Sequence, residues 1–260
     1  MAKAIIGGLI GNGFNPRNIS AADPMLDNLK KMQDDWGIQA SNNNGDVIEQ
    51  ADIVVLAIKP QQMAEVCADI QTLCQQKKPL IISIAAGITV AMLERWLHPD
   101  LSIIRCMPNT PALVKCGATG IFANPNCSFD QKAVTEQLIS AIGIANWVEK
   151  ESLLDIVTAL SGSGPAYFFL VMEAMQDAAI ALGLDEQSAK DLTLQTALGA
   201  ATMAIASDVD AAELRRRVTS PGGTTAAALA IFEEKGLRQC FDEALKAADT
   251  RSKSLAAEME

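Results

Sequence analysis

Four short segments of the chain hold residue types that can bind a ligand or stabilise charge. Ala57-Ile58-Lys59-Pro60 puts a lysine directly after a long apolar, strand-like run. Ligands of open α/β sheets sit outside the carboxyl ends of the strands. A cation there faces a ligand, or it is a solvated loop lysine. Ala85-Ala86-Gly87 ends the next apolar run. Its small residues let a flat ring or a phosphate approach the backbone, although a tight strand-to-helix turn needs the same residues. Met107-Pro108-Asn109-Thr110-Pro111 ends the run after that, with two polar side chains between stiffening prolines. Thr219-Ser220-Pro221-Gly222-Gly223-Thr224-Thr225 leads into an alanine-rich helix. Glycines and threonines at a helix start make an anion site from free backbone N–H groups. The alternative is a turn capped by Thr224 or Thr225. Ser161-Gly162-Ser163-Gly164-Pro165, taken alone, reads as a helix cap.

Other chemistries lack their residues. There is no Gly-x-Ser-x-Gly elbow, no Walker lysine motif and no histidine pair. The one histidine, His98, precedes Pro99 in a helix-terminating loop, where a surface role is expected. The six cysteines form no Cys-x-x-Cys pair, so no metal site is expected, and scattered thiols fit a reducing compartment. Gly11-Asn12-Gly13 follows a helix-like run, not a strand, and is rejected as a dinucleotide fingerprint.

The elements that must position these segments divide the 260 residues in two. In the first half, strand-like runs at Asn18–Ala22, Ile53–Ile58, Leu80–Ile84 and Leu101–Cys106 alternate with helix-like stretches at Met25–Trp36, Gln61–Gln75 and Val90–Leu97. Apolar strands without alternation, separated by helices, indicate a parallel sheet covered on both faces. Ala118–Ala123 and Ala145–Val148 are expected as edge strands flanking a helix over 129–143. After about Glu149 the strand signals stop and 151–260 reads as helices. The expected architecture is an α/β Rossmann-like domain over 1–150 and an all-α domain over 151–260.

A net charge of −10 without a Lys/Arg block argues against nucleic-acid or anionic-membrane partners. No targeting segment is visible at the start. The apolar stretch Ala166–Leu182 is interrupted by Glu173 and Asp177, which predicts a buried helix of a soluble protein, not a membrane span. A cytoplasmic protein is expected.

Together the segments resemble the pyrroline-5-carboxylate reductases over essentially the whole chain. The resemblance rests on Val218–Thr225 with its alanine-rich helix, Ala57–Pro60, Ser83–Gly87, Met107–Pro111 and Leu160–Tyr167, in the family's order and spacing. It implies reduction of 1-pyrroline-5-carboxylate to proline, the last step of proline synthesis, with NADPH or NADH. It also implies pairing through the helical domain into homodimers, and often decamers. Thr225 matches the residue that contacts the ring nitrogen. Ser220, Gly223 and Thr224 match the segment binding the substrate carboxylate. Asp208 stands where many members carry a glutamate that reaches the amine through water. Asn44, Ala57, Ile58, Lys59, Pro60, Ala85 and Asn109 match cofactor-contacting positions. Asp23, at the family's ribose position, favours NADH over NADPH, unless it only caps the following helix.

One departure lies at the start. Met1–Leu9 corresponds to the family's first helix from its loop methionine onward, so the family's first strand and two loop glycines have no counterpart in residues 1–260. That predicts weak or undetectable cofactor binding by this chain, with the helical domain still associating. Two other readings stay open on the sequence: a related dehydrogenase acting on a hydroxyacid, and an inactive oligomerising homologue.

Overall fold

The computed structural model describes residues 1–259. The α/β part runs α1 (Ala2–Gly11), β1 (Ser20–Ala22), α2 (Leu26–Trp36), β2 (Gln39–Ser41), α3 (Asn44–Ile48), β3 (Ile53–Leu56), α4 (Met63–Lys77), β4 (Leu80–Ser83), α5 (Val90–Trp96), β5 (Ile103–Met107), β6 (Gly117–Ala123), α6 (Phe129–Ser140) and β7 (Gly143–Trp147). The helical part continues with α7 (Leu153–Val157), α8 (Gly164–Ala181), α9 (Glu186–Ile205), α10 (Ala211–Arg217), α11 (Thr224–Glu234) and α12 (Leu237–Ala257).

The strands form a sheet in the order β3-β4-β5-β6-β7, and β1 pairs with β2 in a separate two-stranded sheet. β3, β4 and β5 are mutually parallel, as the apolar runs indicated. β6 differs from the edge strand expected for it. It lies inside the sheet, antiparallel to β5 and parallel to β7. Among the described residues no strand joins β1 to β3, the place where the resemblance puts a further central strand.

Both faces of the larger sheet are covered, and β4 shows how. Ile81 joins one core cluster with Met63, Cys67 and Ile70 of α4 and Val90, Met92 and Leu93 of α5. Its neighbours Leu80 and Ile82 join the other, with Ala4 and Ile5 of α1 and Leu138 and Ile139 of α6. Alternate residues of a strand point to opposite faces, so a strand apolar at every position is buried on both.

Compactness divides the chain at a different place from the change of class near 150. One unit is Met1–Ser163 together with Ala247 onward; the other is Gly164–Lys246. In the second unit, Asp185 caps α9 by accepting from Ser188 N, and Gly183 breaks α8 at φ +105°. The expectation of a buried helix at 166–182 is not met. Phe168, Phe169 and Leu170 are 68%, 64% and 65% exposed. The helix spanning Leu153–Ala181 is long and apolar enough to cross a membrane by length and composition, and 17% of its most apolar window is buried. Its two acidic residues interrupt the stretch without supplying neighbours to cover the rest.

Cys67, Cys74, Cys106 and Cys127 are buried, while Cys116 and Cys240 are exposed. Burial disfavours the thiolate and pushes Cys67 up to about 12 and Cys74 to about 11. Cys106 is raised by the same cause. A thiol reagent at pH 8 should therefore titrate two groups rapidly in the folded protein and all six after unfolding. The sign of the pH effect follows from linkage. The unfolded thiols ionise first, from their ordinary 9.0, so this contribution to stability is complete below that pH and is lost toward 12. Urea midpoints measured from pH 8 to 11 should fall, and they should fall less for Cys67→Ala.

Candidate functional site

The parallel register brings three of the four sequence segments to one edge. Leu56 is opposite Ser83, and Ser83 is opposite Arg105. The residues that follow these strands, Ala57–Pro60, Ile84–Gly87 and Pro108–Asn109, therefore line the same carboxyl edge. Ala57 and Lys59 are exposed, Ile58 packs on the core, and Pro60 starts a short 3-10 turn. Ala85 is buried, and Gly87 turns the chain at φ +76°, a conformation a side chain resists.

Asn109 is occupied. Its amide donates to Ser161 O at 2.9 Å, and its Oδ1 accepts from Ala118 N at 2.8 Å. With both ends of the amide used, Asn109 ties the strand-end loop to Ser161. Ser161 lies in a π-helical turn, Thr158–Gly162, where α7 continues toward α8. A Cβ on Gly162 would come within 2.9 Å of Met107 Cε, so the turn packs directly on the end of β5. Such turns inside helices are frequent at functional sites.

Asp23 follows β1 and Asn44 follows β2, which are in parallel register with Ala22 opposite Ser41. The Asp23 carboxylate accepts from Met25 N at 2.8 Å and from Asn28 Nδ2 at 3.2 Å. It shapes the approach to α2, whose N-cap is Met25. A carboxylate has about four acceptor sites, so these bonds do not exhaust it. Asn44 opens α3 and donates to Asp69 at 3.1 Å. The preceding Asn43 caps that helix.

The fourth segment is a tight turn that leads into an uncapped helix start. Pro221 and Gly222 occupy the middle of a turn closed by Gly223 N donating to Ser220 O at 3.0 Å, with Gly222 at φ +71°. Proline then glycine in the left-handed region are what a type II turn requires. The N-cap of α11 is Gly223, with no side chain bonded to the helix start. Neither Thr224 nor Thr225 is the cap, so the first N–H groups and both hydroxyls remain available. Three arginines, Arg215–Arg217, precede the turn, and Arg216 and Arg217 both bind Glu213, which holds its carboxyl below the usual range. Asp208 is exposed in the bend between α9 and α10.

One ion pair leaves almost no trace in the sequence. Arg105, 9% exposed on β5, meets Glu151 at 2.5 Å. The same carboxylate oxygen accepts from Val90 N, at the start of α5, at 2.7 Å. A lone arginine in an apolar strand is the only sequence signal for it.

A mostly parallel sheet covered by helices on both faces, with small-residue loops at its carboxyl edge and a helical unit after it, defines an NAD(P)-binding oxidoreductase fold. Residues 1–87 match the family model described as NADP oxidoreductase coenzyme F420-dependent, and residues 151–255 match that of pyrroline-5-carboxylate reductase dimerisation. The chain is 49% identical to the pyrroline-5-carboxylate reductase of Pseudomonas aeruginosa, covering all of this chain and 94% of that protein. It is 43% identical to that of Vibrio alginolyticus, over 98% of this chain and 94% of that one. A solved pyrroline-5-carboxylate reductase from Coxiella burnetii superposes with a TM-score of 0.95 at 44% identity, over 98% and 94% of the two chains. The Plasmodium falciparum enzyme, solved with NADP bound, gives 0.85 at 29% over the same shares. The chain belongs to the pyrroline-5-carboxylate reductase family.

Removing Glu151 strands the nearly buried Arg105, whereas Glu151 is partly exposed and keeps the Val90 amide when Arg105 is lost. Glu151→Ala should lower stability by about 3 kcal/mol and Arg105→Ala by less, while the double variant loses less than the sum. Urea unfolding of the four proteins in that cycle measures it.

Proposed function

We propose a division of labour among these residues for the family's reaction, the NAD(P)H-dependent reduction of 1-pyrroline-5-carboxylate to L-proline that closes proline biosynthesis. The observation that carries it is the uncapped start of α11 behind the Ser220–Gly223 turn. It leaves donors for a small carboxylate and places Thr225 one residue inside the helix.

The substrate carboxylate is taken by Ser220, Gly223 and Thr224, with the α11 N-terminus supplying free N–H groups. The Thr225 hydroxyl makes one hydrogen bond to the ring nitrogen. A protonated imine is already electrophilic, so the protein's task is to hold the reacting carbons close and orient that nitrogen. A reduced nicotinamide bound at the sheet edge would supply the hydride: its C–H bond would break as a C–H bond forms at the imine carbon, and the π pair of the C=N bond would move onto the nitrogen, which keeps its proton. A site without histidine suits this chemistry. Asp208 is the candidate for contact with the amine through water.

The carboxyl edge fits a dinucleotide. Ala57, Ala85, Ala86 and Gly87 carry a methyl group at most, which admits a flat ring. Lys59 is an exposed cation beside them. Ile58 and Pro60 shape the same loop, and Asn44 lies at the corresponding end of β2. Asn109 serves through its backbone and through the loop it braces.

Two copies pair through the helical unit. The family description of 151–255 as a dimerisation region and the exposed apolar side chains of α8 and α9 support this. An apolar hollow of about 230 Å³ between these helices, walled by Met175, Leu184, Leu192 and Thr196, offers a seat for a partner side chain. Free thiols and a biosynthetic role support a cytoplasmic location.

Thr225→Ala should lower kcat by about 10²-fold, the effect of a lost positioned hydrogen bond, with little change in cofactor KM. Unchanged turnover in steady-state assays would remove Thr225 from its role. On the cofactor, Asp23 accepts ribose hydroxyls of NADH and repels the 2′-phosphate of NADPH. With the family's first strand and loop glycines supplied ahead of Met1, the enzyme with Asp23 should show the higher kcat/KM with NADH, and Asp23→Ser should shift the ratio toward NADPH. A ratio that the serine leaves unmoved would reduce Asp23 to its part in the turn before α2.

A further inference from the structure

The last turns of α12 belong to the compact unit of the sheet, not to that of the helices before them. Three contacts hold them there. Ser252, 7% exposed, donates from Oγ to Asp155 of α7 at 2.7 Å. Met259 packs against the core cluster that contains Ile88 and Val90. Between these two anchors, the backbone at Leu255 and Ala256 lies against Gly87. A Cβ built on Gly87 would stand 3.6 Å from Ala256 N, 3.7 Å from its Cα and 3.8 Å from Leu255 C. The loop Ala85-Ala86-Gly87 is therefore walled on one side by the last turns of α12, while Glu151 holds the amide of Val90 just beyond it.

We propose that residues 252–259 act as a positioning element for the cofactor-binding loop at the end of β4. This rests on the assignment of that loop to the cofactor. Gly87 at φ +76° has more conformations open to it than any other residue type, so its geometry must be imposed from outside. The α12 backbone is packed against it, and the Ser252 and Met259 contacts fix α12 in turn. Ordering the loop before the cofactor arrives removes that cost from binding. The residues act through the loop and touch no reacting atom.

The test compares the full chain with a chain ending at Leu255, and with Met259→Ala and Met259→Leu. Amide hydrogen exchange at Ala86–Val90 should rise about tenfold in the shortened chain and in Met259→Ala, and return in Met259→Leu. The cofactor KM should rise by about the same factor, with kcat and the imine KM within about twofold. A lower melting temperature with unchanged exchange at 86–90 and unchanged cofactor KM would make the tail a stabiliser only and overturn the proposal. So would a loss that falls on the imine KM. Failure of the full chain to reduce pyrroline-5-carboxylate would count against the functional reading instead, and the exchange data alone would then decide the role of the tail.

Discussion

A guanidinium held among the strands of an apolar sheet must find an anion, and Arg105 finds Glu151. Glu151 comes from beyond the last strand, and the same oxygen takes the amide at the start of α5. One carboxylate thus joins the middle strand, the helix that follows the β4 loop, and the segment where the chain becomes helical. Leaving Arg105 without its anion costs several kcal/mol. The pair therefore specifies where α7 begins relative to the sheet. Val157 of α7 then fits against Gly120 of β6, where a Cβ would meet it at 2.7 Å. The π turn after α7 carries Ser161 to Asn109.

The carboxyl edge is accordingly braced from behind. Its loops are small, and small loops do not hold themselves. The Met107–Pro111 loop is fixed by the Asn109 amide, the β4 loop by Glu151 beyond it and by the end of α12. A ligand meets backbone whose conformation has already been set, so little ordering is left to its binding energy. The α11 start works differently. Its shape is local, imposed by proline and a left-handed glycine within one turn, and it needs no distant partner.

That contrast explains what could be read in the residues. The α11 turn was legible because proline, glycine and threonine each carry their conformational reason with them. The strands β3 to β5 were legible because a sheet buried on both faces leaves an unbroken apolar run. β2 and α3 were missed: three and five residues long, they are too short and polar for a periodic signal. The antiparallel turn of β6 was missed because pattern reports burial, not direction. Asn109 was placed by motif at the cofactor, and its side chain is spent on Ser161 and Ala118, a use that only contacts 52 and 9 residues away could reveal.

The misreading of α8 has the most consequence. Apolarity predicts that a helix will be covered, but it does not name the cover. Within Gly164–Lys246 only Gly164, Ala189 and Thr193 are buried, so this unit has no core of its own. A domain of that size ordinarily encloses one. Leu182 and Ile205 are 90% and 88% exposed, and α8 adds its phenylalanines to the same unit. Apolar area on that scale is worth about 25 cal/mol for each Å² removed from water. The free energy that holds these helices in place is thus available chiefly on association, and the small residues of α9, Ala197-Leu-Gly-Ala-Ala201, let a second helix approach its backbone closely. A unit built this way couples its own folding to pairing. The start of α11 belongs to the same unit, so the proposed anion site keeps the local shape of its turn while the helices around it would gain their rigidity on pairing.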